Sequence, residues 1–214
     1  MNTIRLEHTF PEVFANRSDL SSEVWQQDII FQKGHLYLVE ASSGTGKSSL
    51  CSFLYGYRHD YQGIITFDGQ NIRNLKVADW TRLRQRHLSL MWQELRLFPE
   101  LTAMENVLIK NRLTGFKAKK DIRRWFDELG IADKENARLG QMSFGQQQRV
   151  AMMRALVQPF DFLMVDEPIS HLDDQNARTM ADIMMEEATR QGAGVIVTSI
   201  GKHIDMNYDQ ILKL

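Results

Sequence analysis

The stretch Leu36-Tyr37-Leu38-Val39-Glu40-Ala41-Ser42-Ser43-Gly44-Thr45-Gly46-Lys47-Ser48-Ser49 joins a short apolar run to a loop of small residues. The pattern Leu50-Cys51-Ser52-Phe53-Leu54 follows at once and predicts a helix. A strand, a glycine-rich turn and a helix in this order form a phosphate-binding loop. Small residues let backbone N–H groups converge on phosphate oxygens, and the helix start adds partial positive charge. We therefore expect this loop to hold the phosphates of a nucleotide.

The residues of this loop have separate expected roles. Lys47 is expected to reach the β- and γ-phosphates, and the Ser48 hydroxyl is expected to ligate Mg²⁺. The other expected phosphate-binding residues are Ser42, Ser43, Gly44, Thr45, Gly46 and Ser49. Ala41 stands where the usual pattern has a glycine. If that position required a left-handed conformation, alanine would cost roughly 1–2 kcal/mol, so the loop is expected to differ slightly at its start.

A second motif, Phe162-Leu163-Met164-Val165-Asp166-Glu167, is an apolar strand that ends in two carboxylates. A buried strand would bring Asp166 to the Mg²⁺ side of the phosphate loop, to hold the ion directly or through water. Glu167 points to the opposite face and is expected to polarise an attacking water. Two solvated acids at a strand end are the alternative, but the phosphate loop upstream favours the nucleotide roles.

Composition and charge exclude several classes of protein. The chain has 214 residues, with 26 Lys and Arg against 27 Asp and Glu, for a net charge of −1. A general nucleic-acid binder usually has a basic excess, so no nucleic-acid partner is expected. The single cysteine, Cys51, cannot form an internal disulfide. No apolar run approaches the ~20 residues that span a bilayer, so any work at a membrane is expected to need a partner.

Strand-like apolar runs alternate with helical patterns, which favours an α/β fold with a largely parallel sheet. Strands are predicted at Ile4–Glu7, Leu36–Val39, Gly63–Phe67, Leu88–Trp92, Phe162–Val165, Val195–Thr198 and Gln210–Lys213. Asp68-Gly69 is a turn signal after the third of these. From 94 to 157 the patterns predict helices and loops. We therefore expect a single domain over 1–214 with a helical subdomain inserted at 94–157.

A buried helical face is predicted inside that insertion. Ile122, Trp125, Phe126 and Leu129 recur at the spacing of one helix face, and Gly130 follows as a stop signal.

The segment Met142-Ser143-Phe144-Gly145-Gln146 predicts the start of another helix. Ser143 can cap it, and Gln146, three residues later, can close a capping box. Such a start exposes N–H groups to an anion, but the chain's own phosphate loop already serves its nucleotide. A second phosphate-binding helix start therefore suggests a nucleotide held by another copy of the chain.

With these motifs in this order, the chain resembles the nucleotide-binding subunit of an ATP-binding cassette (ABC) transporter over nearly its whole length. Residues 142–146 resemble the signature Leu-Ser-Gly-Gly-Gln: Ser143, Gly145 and Gln146 match, and Met142 and Phe144 depart. Gln93 matches the Q-loop glutamine of the family, which contacts Mg²⁺ and the attacking water. In the family, the loop that carries this glutamine faces the membrane subunit. Ser170-His171-Leu172-Asp173 resembles the D-loop, which crosses the dimer interface.

Further matches point to the small lipoprotein-exporter and FtsE-like cassettes. The matching residues are Gln70, Leu75, Leu88 to Gln93, Pro99, Leu101, Thr102, Glu105, Asn106 and Val107.

The resemblance implies a fold, a chemistry and partners. The implied fold is that of a P-loop NTPase (RecA-like), with a mostly parallel core, an N-terminal antiparallel β portion and an inserted helical subdomain. The implied cofactors are ATP and Mg²⁺, with Ser48, Gln93 and Asp166 at the metal and Glu167, Gln93 and Ser199 in catalysis. The implied partners are a transmembrane permease and, on ATP binding, a second copy or a paralogue. The chain would be cytoplasmic, held on the inner face of the membrane by the permease.

Two positions depart from the family or stay open. The family has a switch histidine in the pattern Val-Thr-His, and this chain has Ser199 there. His203, four residues later, is either a substitute or, as we expect, a surface histidine. The aromatic that stacks on adenine is expected before the phosphate loop, at Phe14 first and Phe10 second. Either aromatic can equally be a core residue.

These departures leave an alternative function open. Ala41, Phe144 and Ser199 motivate a cassette that binds ATP but hydrolyses it weakly or not at all and acts as a regulatory module.

Overall fold

The computed structural model describes residues 1–17, 21–169, 172–201 and 203–214, which form nine strands and six α-helices. The strands are β1 (Thr3–Pro11), β2 (Asp28–Gln32), β3 (Leu36–Glu40), β4 (Tyr61–Phe67), β5 (Gln70–Asn71), β6 (Leu88–Met91), β7 (Phe162–Asp166), β8 (Gly194–Ser199) and β9 (Gln210–Lys213). The helices are α1 (Lys47–Leu54), α2 (Val77–Arg86), α3 (Ala103–Thr114), α4 (Lys119–Glu128), α5 (Phe144–Leu156) and α6 (Asp174–Gln191).

A parallel sheet in the order β6-β7-β8-β3-β9 forms the core, which confirms the predicted fold class. Strands β6, β7 and β8 are buried along their whole length, so their sequences are continuous apolar runs rather than alternating ones. Because the strands are parallel, the carboxyl ends of β3, β7 and β8 lie at one edge. Thr198 is paired with both Val39 and Asp166, so β8 separates the phosphate loop from the acidic pair.

An antiparallel sheet in the order β2-β1-β4-β5 supplies the expected N-terminal β portion. β1 and β4 extend beyond the predicted ranges, and β2 and β5 were not predicted. In β2 only Phe31 is buried, which leaves no clear alternation of apolar and polar residues to reveal the strand. At the predicted turn, Asp68 and Gly69 both have positive φ, 48° and 82°, as a tight two-residue hairpin requires.

Helices α3, α4 and α5 follow one another between β6 and β7, in agreement with the helical patterns of that stretch. The predicted face of α4 is buried: Ile122, Trp125, Phe126 and Leu129 are each at most 1% exposed. The boundaries 94–157 of a separate subdomain remain a prediction. Among the described helices, none combines the length and the apolar character that crossing a membrane requires.

Candidate functional site

The loop between β3 and α1 bends at two glycines. Gly44 and Gly46 have φ of 80° and 103°, in the region where residues with a side chain are strained. Ala41 has no positive φ, and its N–H donates to the carbonyl of Ser199 at 3.0 Å. The cost considered for alanine at this position is therefore not incurred, and the loop begins as an extension of the parallel sheet.

Two aromatic side chains support the loop from behind. The Trp25 indole N–H donates to the Thr45 carbonyl at 2.9 Å, and the Thr45 hydroxyl donates to the Ser42 carbonyl at 2.9 Å. A Cβ at Gly46 would lie 2.9 Å from Cε2 of Phe14 and 3.1 Å from Cζ2 of Trp25. Gly46 is therefore required both for its backbone conformation and for the close approach of these rings. Trp25 was not predicted, because no local pattern links it to the loop.

A cleft of about 290 Å³ lies above the loop and collects most of the predicted site residues. It is lined by Phe14, Ser43, Gly44, Gly46, Lys47, Ser48, Ser49, Gln93, Glu167 and Ile200. Of these, Ile200 was not predicted. The Ser49 hydroxyl accepts a hydrogen bond from the Arg58 guanidinium at 2.9 Å, which orients it at the start of α1.

Asp166 lies beneath the cleft and is 1% exposed. Its Oδ2 accepts from the Ser48 hydroxyl at 2.8 Å, and its Oδ1 accepts from the Thr198 hydroxyl at 2.5 Å. Two of the three predicted magnesium ligands, Ser48 and Asp166, are thus in direct contact. Thr198, which orients the carboxylate, was missed, although its place on the strand beside Asp166 follows from the sheet order. Burial, and next the Asp166 charge, raise the pKa of the Cys51 thiol, which fits a buried core residue.

Lys47 and Glu167 face each other in the cleft. Their Nζ and Oε1 atoms are 3.3 Å apart, and the side chains are 6% and 11% exposed. Glu167 has a φ of 50°, and its N–H donates to the Thr198 carbonyl at 3.1 Å. A strained conformation of this kind costs about 1–3 kcal/mol and persists where the surroundings impose it, often at functional sites. The paired carboxylate is therefore held at the site where phosphate would bind.

Gln93 follows β6, is exposed and lines the cleft. Ser199 ends β8 and is 2% exposed, next to the cleft-lining Ile200. His203, the candidate substitute for the switch histidine, lies elsewhere: its Nδ1 is 3.5 Å from Oε1 of Glu40, and it lines a different cavity. The structure therefore does not place His203 among the residues that line the cleft above the phosphate loop.

The two candidate adenine-stacking aromatics are both 8% exposed. Their ring centroids are 6.3 Å apart, and the Arg17 guanidinium lies 5.7 Å from the Phe14 centroid. Phe14 lines the cleft and closely approaches Gly46, whereas Phe10 is not among the residues that line the cleft. Both rings are also packed in the core, so adenine stacking by Phe14 remains a prediction.

The predicted capping box is present at the start of α5. The Gln146 N–H donates to the Ser143 hydroxyl at 3.4 Å, and the Ser143 N–H donates to Oε1 of Gln146 at 2.9 Å. Ser143 and Phe144 are exposed, while Gly145 and Gln146 are partly exposed. These residues do not line the cleft of their own chain. The helix start is thus open to another molecule.

The D-loop lies only partly in the described part of the chain. Ser170 and His171 are outside the described residues. Asp173 caps α6 by accepting from the Asn176 N–H at 2.9 Å, and Leu172 is buried.

The donors at the cleft fit Mg²⁺ bound together with a phosphate. In the ranges that the structure describes, no three His, Cys, Asp or Glu side chains gather as a protein-only metal cage. Magnesium at nucleotide sites instead takes one or two protein oxygens, with waters and phosphate oxygens completing its shell. Ser48 and Asp166 supply such oxygens side by side, and Gln93 lines the same cleft.

Comparison with known proteins agrees with this geometry. Residues 26–170 match the ABC transporter family. The lipoprotein-releasing system ATP-binding protein LolD of Koribacter versatilis is 35% identical over 163 residues, which cover 74% of this chain and 73% of the relative. LolD of Legionella pneumophila is 29% identical over 190 residues, covering 87% and 84% of the two chains. The uncharacterized ABC transporter ATP-binding protein YbbA of Escherichia coli is 27% identical and is covered to 94% by the whole of this chain.

Among solved structures, the fold matches the dimeric structure of MJ0796, described as a bacterial ABC transporter cassette. The TM-score is 0.79 at 22% identity, over 99% of this chain and 94% of that one. A second structure of MJ0796, a dimer in a post-hydrolysis state bound to ADP and phosphate, has a TM-score of 0.73 at 22% identity, over 92% and 87% of the two chains. With the family match over residues 26–170 and the 35% identity to LolD, the chain belongs to the ABC transporter family, as an ATP-binding cassette similar in sequence to the LolD proteins.

Proposed function

We propose that two copies of this chain, or one copy and a paralogue, enclose two ATP molecules and hydrolyse them to drive a separate transmembrane permease. Each nucleotide would lie between Lys47 and Ser48 of one chain and Ser143 and Gly145 of the other. The observation that carries this proposal is the capped, exposed start of α5, which lies outside its own chain's cleft. ATP would favour the closed pair because it touches both chains only there.

The remaining predicted binding residues complete the proposed nucleotide site. The backbone of Ser42, Ser43 and Thr45 would surround the phosphates, Gln146 would hold the signature helix start in shape, and Phe14 would contact the base. When bound, Mg²⁺ would neutralise charge on the β- and γ-phosphates. Ser48, Asp166 and Gln93 would hold it, and Thr198 would keep the Asp166 carboxylate oriented.

Glu167 is the proposed general base. Its carboxylate lies 3.3 Å from the Lys47 ammonium. An arriving phosphate is the stronger partner for Lys47, because it carries more negative charge and is surrounded by backbone N–H groups. Glu167 would then be able to accept a proton from a water directed at the γ-phosphate. Gln93 and Ser199 would help to orient that water, with the Ser199 hydroxyl in place of the imidazole of the family.

The Gln93 loop is the proposed route to the permease. Leu95 is buried, so it packs internally, whereas Phe98 is 48% exposed and Leu97 is partly exposed. We propose that the latter two contact a helix of the permease, and that 94–157 acts as the subdomain that carries this surface. The chain would then lie on the cytoplasmic face of the membrane, held there by the permease.

A single substitution tests the assignment of the base. Glu167→Gln is expected to lower ATP hydrolysis by about 10²–10⁴-fold, the usual range for loss of a general base, while ATP binding is retained. Glu128→Gln, which removes an exposed carboxylate on α4, is the matched control. Phosphate release at the parental rate by Glu167→Gln would discard the assignment.

The same assay separates the regulatory alternative. A robust steady-state rate with the permease present would eliminate a cassette that only binds ATP. Of the departures that motivated this alternative, Ala41 has no positive φ and so imposes no backbone strain on the loop.

A further inference from the structure

We infer that Arg154 is a positioning residue for ATP hydrolysis, because its guanidinium fixes the turn that follows Gln93. This inference rests on the proposed role of Gln93 in the preceding section. It concerns a residue that touches no part of the cleft, and it makes α5 a link between the signature helix start and the Q-loop of the same chain.

The turn after Gln93 is strained. Leu95 and Arg96 have φ of 59° and 48°, so two consecutive residues with side chains adopt the left-handed conformation. A residue with a side chain is strained in this conformation, because its Cβ lies too close to the following carbonyl oxygen. The Leu95 N–H donates to the Trp92 carbonyl at 3.0 Å, and the Arg96 N–H donates to the Glu94 carbonyl at 2.6 Å. Such a turn persists only when surrounding groups hold it.

The Arg154 side chain holds this turn through hydrogen bonds to its backbone. Its Nη2 donates to the Leu95 carbonyl at 2.6 Å, and its Nη1 donates to the Arg96 carbonyl at 2.7 Å. One planar guanidinium therefore bridges the carbonyls of both left-handed residues, a geometry that the single ammonium of lysine does not reproduce. Burial lowers the pKa of Arg154 to about 10, so the fork remains charged at neutral pH.

The turn is also held by the Arg96 side chain, which stacks on two aromatic rings. The Arg96 guanidinium lies 3.6 Å from the Trp92 ring centroid and 4.6 Å from that of Tyr57. Trp92 immediately precedes Gln93, so the glutamine lies between a stacked indole and a clamped turn. Its backbone is thus fixed on both sides.

Arg154 lies near the end of α5, so it connects the turn after Gln93 to the helix that begins at Ser143. Arg154 is eleven residues after Ser143, or about 16 Å along one helix at 1.5 Å per residue. The end of α5 is anchored to the core, because the Ser89 hydroxyl of β6 donates to the Ala155 carbonyl at 2.6 Å. A helix that meets the partner's nucleotide at its start therefore fixes its own chain's Gln93 loop near its end.

Kinetics of Arg154→Lys test the inference. We expect kcat for ATP hydrolysis to fall about 10- to 100-fold, the scale of a misplaced catalytic group, with KM for ATP unchanged. The Mg²⁺ concentration for half-maximal rate is expected to rise, because Gln93 is a proposed metal contact. A merely structural role would lower thermal stability without moving the Mg²⁺ dependence. Arg124→Lys, on the exposed face of α4, is the matched control.

A double-mutant cycle shows whether Arg154 acts through Gln93. In a Gln93→Ala background, Arg154→Lys is expected to cause no further loss of kcat. Additive losses in the double variant, or a rate within twofold of the parent for Arg154→Lys alone, would overturn the inference.

Hydrogen–deuterium exchange gives a readout independent of hydrolysis. In the nucleotide-free chain, amides 94–98 are expected to exchange faster in Arg154→Lys than in the parent or in Arg124→Lys. Unchanged exchange there rejects the inference whatever the ATPase rate is, whereas a parent without ATPase activity counts against the proposed function alone. Arg154→Gln, which keeps a single donor nitrogen in place of the guanidinium fork, replaces the lysine variant if the latter does not fold.

Discussion

Alanine substitutions at the two glycines of the phosphate loop should have unequal effects on stability. Gly44 and Gly46 both have left-handed φ, 80° and 103°. A Cβ at Gly44 would meet no atom within 4 Å, whereas a Cβ at Gly46 would lie 2.9 Å from Phe14 and 3.1 Å from Trp25. The two substitutions therefore share the backbone cost and differ in the clash with the two rings.

The magnitudes follow from these contacts. The left-handed conformation costs alanine roughly 1–2 kcal/mol at either position. Overpacking against the two rings adds about 1–3 kcal/mol at Gly46 alone. The smaller entropy of an unfolded chain with alanine is the same for both variants and cancels in the comparison. Gly46→Ala is therefore expected to be less stable than Gly44→Ala by about 1–3 kcal/mol.

Urea unfolding of the nucleotide-free variants measures this difference. With a slope of about 2 kcal/mol per molar urea, the midpoint of Gly46→Ala should lie roughly 0.5–1.5 M below that of Gly44→Ala. A Phe14→Leu change is expected to narrow the gap, because a smaller side chain makes room for the new methyl group. Equal midpoints, or a lower midpoint for Gly44→Ala, would refute the argument that the rings set the requirement at Gly46.

Two further predictions concern charged groups outside the cleft. Burial, and next the nearby charge of Arg154, lower the pKa of Lys110 from 10.5 to about 7, so its folded form releases a proton that the unfolded chain keeps. The stability contributed by this site therefore rises between about pH 7 and pH 10.5. Lys110→Met should be more stable than the parent in urea unfolding at pH 7, and this difference in stability should shrink as pH increases. Glu187 is 4% exposed and pairs with both Lys117 and Arg190. Glu187→Gln should accordingly lower the melting temperature more than Lys117→Met, since it leaves two cations without their shared carboxylate; an equal loss would contradict this.

Local sequence patterns were sufficient for much of the site. The apolar run, small loop and helix of 36–54 lie next to one another in the chain, so strand, turn and helix could be assigned together. The capping box at Ser143 is likewise a short-range pattern, and both of its hydrogen bonds are present. These two features of the site were therefore predictable from neighbouring residues alone.

The missed residues depend on contacts between distant parts of the chain. Thr198 bonds Asp166 only because β8 is inserted between β7 and β3, and strand order is not encoded in any local pattern. Trp25 reaches the loop from a segment without regular structure. Arg154 is also a long-range partner: its hydrogen bonds span 58 and 59 residues. The turn that it holds follows a short strand and contains no glycine, so the sequence gives no signal that Leu95 and Arg96 adopt the left-handed conformation.

Mixing two inactive variants tests most directly whether each nucleotide is enclosed by two chains. Lys47→Ala removes the phosphate loop's cation, and Ser143→Asp keeps the helix cap but adds a charge that repels phosphate. Glu128→Gln, which lies outside the proposed nucleotide site, is the control and should remain active.

The two variants are measured alone and as an equal mixture. A mixed pair has one sound site, built from Lys47 of the Ser143→Asp chain and Ser143 of the Lys47→Ala chain. We predict that phosphate release, negligible for either variant alone, reappears on mixing. A mixture that stays as inactive as its separate components would contradict the shared site on which the account depends.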